Sequence, residues 1–313
     1  MAADGGAGVY LLGKRGPLAA FIPKPGLYLT NDIYFYDAGR DTFLPLGGRV
    51  AQDVAVEALI NIAQFTWVTD RSVLGGRLAF SGVLPYGNVD VTAAGIVAFD
   101  EGGNAARVLS DDVTGFGDPT FGAALGWKHR DGDRFRAWSG YASVFVPVGD
   151  YEVGRLANIG KNRWALDVGG AYTMANFQRG RELSAVLGVT FNGNNEDTGY
   201  NTGTEMHFEL AAVQHLPKNW SIGVVGYWYE QLTGDGNNPA ILGDFKGRAI
   251  AIGPQVSHQL GNVGVNLRWY HEFEVRNRVE GDAVFLTFSI PLSIRPPQDE
   301  TQDWTSDTKG PSL

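Results

Sequence analysis

From residue 263 to 275 the chain reads Val-Gly-Val-Asn-Leu-Arg-Trp-Tyr-His-Glu-Phe-Glu-Val. Val263, Val265, Leu267, Trp269, Phe273 and Val275 fall on one parity; Asn266, Arg268, Tyr270, Glu272 and Glu274 fall on the other. Side chains alternate faces at every residue of a strand, so the segment predicts a strand with one apolar and one charged face. Similar segments predict strands at 26–38, 48–66, 72–84, 115–128, 135–147, 163–176, 182–193, 204–216, 220–232, 247–259, 262–275 and 283–293. That is about twelve, and bacterial single-chain outer-membrane barrels use even numbers. Short connections at Thr69-Asp70-Arg71, 129–133, 177–180, 217–219 and Gly261 alternate with long ones at 85–114, 148–162, 194–203 and 233–246. Short turns on the periplasmic side and long loops outside are the outer-membrane arrangement, which places both ends of the barrel in the periplasm.

The facing is consistent from strand to strand. Trp164, Leu166, Val168, Tyr172 and Met174 oppose Arg163, Asp167 and Thr173, and Met206, Phe208 and Leu210 oppose Glu205, His207 and Glu209. Val54, Val56, Ala58 and Ile60 oppose Asp53, Glu57 and Asn61. We expect the apolar sets to meet lipid and the polar sets the lumen. Two packed soluble sheets would alternate similarly; the loop rhythm and the scattered Trp and Tyr favour an all-β, antiparallel, up-and-down transmembrane barrel of about twelve strands.

Composition narrows the classes. Hydrophobic content is 44%, yet mean hydropathy is −0.12, and no stretch approaches the ~18 consecutive apolar residues of a membrane helix. The 43 glycines and 12% aromatics suit close-packed strands, tight turns and interfacial rings. The net charge of −9, from 25 basic and 34 acidic residues without a basic run, argues against nucleic acid. The absence of cysteine excludes disulfides, thiolate metal sites and Cys nucleophiles. The start, Met1-Ala-Ala-Asp-Gly-Gly, lacks the features of a signal peptide, so the chain is either cytosolic or already processed. We take the second reading and expect the cell outer membrane.

Three stretches carry a family resemblance: Gly115-Phe116-Gly117-Asp118-Pro119-Thr120-Phe121-Gly122; Val144 to Tyr151 continuing through Arg155, Asn158, Gly160 and Asn162 to Trp164; and Trp269 to Phe273 through Arg276-Asn277-Arg278 and Glu280-Gly281-Asp282 to Pro291. Together they resemble the outer-membrane channel family named for the meta-pathway of phenol degradation, whose members are implicated in uptake of hydrophobic compounds, including sphingosine. The resemblance implies a barrel of this strand number whose N-terminal segment can enter the lumen. One departure is the run past Pro291 into a polar tail, 294–313, whose composition reads as disordered.

Residues 1–25 precede the barrel (26–293) and hold two apolar patches, with Val9, Tyr10, Leu11 and Leu12 in one and Leu18, Phe21 and Ile22 in the other. They are too short to span a membrane, and the lumen is where such patches can be buried, so we expect a plug. Asp53, Glu57, Arg77, Tyr141, Glu205, His207, Glu209, Arg268, Tyr270, Glu272 and Glu274 are expected to line the lumen. Interior charges at this depth need partners, so a structural charge network is the first reading of them. Asp118, Pro119, Pro147 and Asp150, with Pro254 as a second seam, are candidates for a lateral gate, because proline lacks the ladder N–H.

No catalytic constellation is evident. Ser257 and His258 are adjacent and so point to opposite faces. Asn194-Asn195-Glu196-Asp197 and Asp235-Gly236-Asn237-Asn238 offer oxygen ligands without the spacing of a calcium loop. The expectation is a monomeric, cofactor-free, non-enzymatic channel for passive uptake of small hydrophobic compounds. Its surroundings would be bilayer, lipopolysaccharide and the outer-membrane assembly machinery. A narrow porin for hydrophilic solutes is the first alternative, and a lipid-modifying enzyme the second.

Overall fold

The computed structural model describes residues 8–40, 44–46, 49–51, 53–94, 96–97, 108–236 and 246–294. The tail expected to be disordered lies outside the described residues, apart from Ile294. The strands are β1 (Gly26–Arg40), β2 (Leu44–Leu46), β3 (Arg49–Ala51), β4 (Val54–Val73), β5 (Gly76–Ala94), β6 (Ile96–Val97), β7 (Val108–Phe116), β8 (Thr120–Asp131), β9 (Arg134–Phe145), β10 (Ala165–Asn176), β11 (Arg181–Asn192), β12 (Glu205–His215), β13 (Trp220–Gln231), β14 (Arg248–Leu260), β15 (Val263–Arg276) and β16 (Glu280–Ile294). β2, β3 and β6 form a separate three-stranded sheet.

All other strands join one antiparallel sheet that closes on itself through β1 with β16 and β4 with β5. β7 and β8 both pair with β5, end to end, at Tyr86–Ala94 and Arg77–Val83. They share one position in the wall, so the ring is a twelve-stranded barrel with one strand broken in two. Closure pairs the strand edges around the ring except along β7, which is paired on its β5 side alone, and paired edges let backbone polar groups cross hydrocarbon without water.

Two boundaries differ from the sequence expectation. β4 runs straight through Thr69-Asp70-Arg71 with a register shift between Val68 and Ser72. The turn falls at Leu74-Gly75, both with positive φ (50° and 74°), as a two-residue hairpin turn needs. The expected long loop at 85–114 is in large part strand, because β5 and β7 extend the wall upward as a paired ribbon.

The outward face gives the membrane level. At its upper limit Asp282, Asp37, Glu57, Asp90 and Asp112 stand directly opposite one another across β16, β1, β4, β5 and β7. A row of like charges is unfavourable next to hydrocarbon and tolerable in water. At the lower limit Trp67 stacks on Phe80 at 5.9 Å, and Trp127 on Trp138 at 6.4 Å. From Glu57 to Trp67 along β4, at ~3.3 Å per residue and a tilt of ~40°, the rise is about 25 Å, the height of a barrel's apolar band. Inside that band Asn31 and Asn61 bond each other reciprocally, at 3.1 and 3.0 Å.

This placement overturns the expected facing of β4. Val54, Val56, Ala58 and Ile60 point inward, and Glu57 and Asn61 point outward. Asp53 is exposed at φ 51° before the strand begins. Neither Asp53 nor Glu57 lines the lumen. Both faces of β4 are largely apolar within the membrane, since Leu59, Phe65 and Trp67 face out and Ala58, Ile60 and Ile62 face in, with Asn61 outside and Gln64 and Thr66 inside as polar exceptions. Glu274 is the other correction. It takes φ 54° in a bulge where the β14–β15 register shifts, so its side chain is exposed and Val275 turns inward.

Candidate functional site

The described part of the N-terminal segment, residues 8–25, lies in the lumen against the wall from β10 to β15. Its contacts are mostly main-chain. Glu209 accepts the Tyr10 hydroxyl at 2.8 Å and the Arg15 N–H at 2.9 Å. Glu182 accepts the Leu18 N–H at 2.6 Å, and Thr173 Oγ1 the Ala20 N–H at 3.2 Å. From the other side Arg268 donates to the Gly13 and Lys14 carbonyls, both at 2.9 Å, and Tyr270 to Gly13 at 3.1 Å. Gly13 has φ 77°, and a Cβ there would sit 2.9 Å from the Tyr270 ring, so only glycine fits. At the lower end Arg77 donates to the Pro23 carbonyl at 2.7 Å.

The apolar patches are used as well. Tyr10 stacks on His207 at 3.6 Å, Phe21 meets Phe135 edge-on at 5.9 Å, and Leu12 is buried in the main core cluster. Leu11 packs beside that cluster, Ile22 abuts Gly126, and Val9 lines the cavity. Leu18 lies in the segment with its side chain 42% exposed.

The lumen acids are paired, as interior charges must be. Glu205 accepts Tyr229 at 2.6 Å and Asn192 at 2.8 Å. Glu272 accepts Tyr227 at 2.6 Å and Tyr36 at 2.8 Å. His207 Nε2 lies 3.0 Å from Asp167 and 3.5 Å from the Tyr141 hydroxyl. Thr173 joins this network from the polar face expected of β10, and Asp32 and Glu182 join it without a place among the expected site residues; inward parity is the signal that finds them.

Opposite the charged wall, the inner faces of β1, β4, β5 and β8 bound a cavity of about 1090 Å³. Val56, Ile60, Ile62, Val83, Val89 and Val91 supply its apolar side. Tyr28, Tyr34, Tyr141 and Phe145 bring aromatic surface to it.

The wall is weakest where β7 and β8 part. β9 pairs with all of β8, and β7 has no strand on that side. Residues 146–163 fill the space, held by three aspartates. Asp118 accepts the N–H of Gly149 at 2.9 Å and of Lys161 at 2.7 Å. Asp150 accepts the Phe116 N–H at 2.6 Å and donates its own to the Phe116 carbonyl at 2.7 Å. Asp111 takes Arg155 at 2.7 Å and the N–H groups of Leu156 and Ala157 at 3.0 and 3.1 Å. The Arg155 hydrogen bond holds the Asp111 carboxyl below its ordinary pKa. Pro119 contributes its carbonyl to the Val146 N–H at 3.0 Å, and Pro147 sits in the tight turn closed by Val148 on Val146 at 2.9 Å. Pro254 faces outward in β14, where the ladder to β15 skips from Ile252 to Gln255 and resumes in the same register.

The remaining polar motifs have local roles. Ser257 meets Ser221 at 2.5 Å, and His258 stacks on Trp220 at 4.2 Å on the outer face. Asn195 Oδ1 accepts the N–H groups of Asp197 and Thr198 within one turn, each at 3.1 Å. Asp235 bonds Tyr200 and Gln231; Asn237 and Asn238 lie outside the described residues.

A closed antiparallel ring of this size, apolar outside and charged within, has the fold of an outer-membrane β-barrel channel. The particular family follows from sequence: residues 40–288 match the model of the family described as "Putative MetA-pathway of phenol degradation", and the chain belongs to it. No curated protein matches the chain. Among solved structures it is similar to the COG4313 outer membrane channel from Pseudomonas putida F1, with 15% identity over 88% of this chain and 98% of that one and a TM-score of 0.68. The transport unit of the autotransporter AIDA-I from Escherichia coli gives 11% identity, 91% and 93% coverage and a TM-score of 0.46. Pseudomonas aeruginosa OccK1 gives 12%, 85% and 98%, and 0.35.

Proposed function

We propose that the chain is a passive, non-enzymatic channel for small hydrophobic compounds, whether aromatic, terpene-like or long-chain. The observation that carries this reading is the apolar side of the cavity on β4 and β5. A hydrophobic solute gains about 25 cal/mol for each Å² it buries there, whereas a sugar would leave hydrogen bonds unmade. The family's description, phenol degradation, fits an aromatic cargo.

The exit in this reading is sideways, through the space beside β7 that residues 146–163 fill. Leaving an apolar site for water returns the same ~25 cal/mol per Å², and leaving it for lipid does not. The N-terminal segment closes the direct route to the periplasm. The channel acts as a monomer in the outer membrane, amid bilayer and lipopolysaccharide, after insertion by the assembly machinery, and needs no cofactor or energy source.

Electron density is the test. Crystals grown in an alkyl maltoside should show one alkyl chain along Val56, Ile60 and Ile62. A cavity holding only ordered water would refute the reading and favour a narrow porin.

A further inference from the structure

The cavity's charges are unevenly partnered. Four carboxylates and five cations line it, and each carboxylate is engaged; of the cations, Arg155 pairs with Asp111 and Arg278 stacks on Tyr229. Asp32 accepts Thr287 at 2.5 Å and lies 3.7 Å from Arg268; Asp167 accepts Thr190 at 2.9 Å and faces His207. Asp118 and Glu272 have the partners given above. Lys14 and Arg15, from the N-terminal segment, line the same cavity, and neither side chain has a hydrogen-bonded or ion-paired carboxylate among the described residues. The segment is tethered through its main chain, which leaves both side chains free to face the cavity. The Arg15 guanidinium lies 3.8 Å from the centroid of the Tyr141 ring, with its N–H edge unspent on any acid.

This matters when the cavity fills. A neutral hydrocarbon would offer the two cations no hydrogen-bond acceptor and leave them only the through-space pull of Asp32, Asp167 and Glu209. A ligand ending in a carboxylate would supply charge-assisted hydrogen bonds, and the guanidinium fork matches a carboxylate's two oxygens. We propose that the cargo is an anionic amphiphile, an organic acid whose carboxylate pairs with Lys14 and Arg15 while its hydrophobic body lies on β4 and β5. The proposal rests on the hydrophobic-cargo reading and narrows it.

Native mass spectrometry of the full chain in a nonionic detergent, with decanoate, decanol and decylamine as probes of equal tail length, tests it. Decanoate should be retained roughly tenfold better than decanol, as one charge-assisted contact implies, and decylamine least. Lys14→Gln with Arg15→Gln should bring decanoate down to the decanol level, and Arg179→Gln with Lys218→Gln, a charge-matched pair of changes in two exposed periplasmic turns, should not. Equal retention of decanoate and decanol, or a decanoate preference that survives the double change, overturns the anionic cargo and leaves the apolar cavity standing. Retention of none of the three probes overturns both.

Discussion

Glu209 is the point where two parts of the N-terminal segment converge, so Glu209→Ala should loosen the segment without harming the wall. The change removes the acceptor for the Tyr10 hydroxyl and the Arg15 N–H. Hydrogen bonds to a charged group contribute about 1.5–3 kcal/mol each, a gross loss of about 3–6 kcal/mol. Removing a buried carboxylate also removes its desolvation cost, which offsets part of the loss and leaves about 2–3 kcal/mol. At ~1.4 kcal/mol per factor of ten, the released population should rise about thirty- to hundredfold. The tethers at Glu182, Thr173 and Arg268 remain, so release should be brief and repeated. Single-channel recording in planar bilayers reads this directly, with deletion of residues 8–22 defining the unobstructed conductance. Glu209→Ala should step up to that level far more often than the parent chain, and Glu209→Gln should fall between them. A parent-like trace from Glu209→Ala would show that this acceptor does not hold the segment, and a parent-like conductance from the deletion would show that the segment obstructs nothing.

Two further predictions follow from named groups. Desolvation lowers the Lys14 ammonium to a pKa of about 8, against the opposing pull of Asp32 and Glu209 and with a smaller push from Arg15 and Arg268. The ammonium is charged below that pH and neutral above it, so decanoate retention should fall between pH 7 and 9; a flat or rising profile would contradict the assignment of the head group to Lys14. Asp118→Ala removes the acceptor for two main-chain N–H groups of 146–163, at about 1–3 kcal/mol for each donor left unpaired. Hydrogen exchange in 146–163 should accelerate and uptake of a hydrophobic solute should rise, and unaltered exchange would mean that the aspartate does not hold the segment.

The strand number and most strand positions were legible in the sequence because lipid outside and charge inside impose a clear period of two. From β10 to β12, Glu205, His207 and Glu209 face the lumen as their alternation predicts. The same rule failed at β4 because the cavity beside it is apolar, which erases the contrast on which the rule depends. It failed at Glu274 because a bulge adds one residue, and one residue reverses every later side chain. The tethering of the N-terminal segment was legible only as buried apolar patches. Its main-chain bonds to Glu182, Glu209 and Arg268 join residues far apart in the chain and leave no local pattern. The broken strand was half legible: Pro119 and its neighbours mark the break, but the extension of β5 and β7 above it reads as a polar loop.

In the proposed function, solutes cross by apolar rather than polar affinity. Flux into proteoliposomes carrying the full chain, measured for a small aromatic acid and for arabinose under equal gradients, tests this most directly. Transfer of the aromatic acid should run well above that of protein-free liposomes, and arabinose transfer should stay close to it. Rapid, size-limited arabinose flux, with the aromatic acid no faster than in protein-free liposomes, would contradict it.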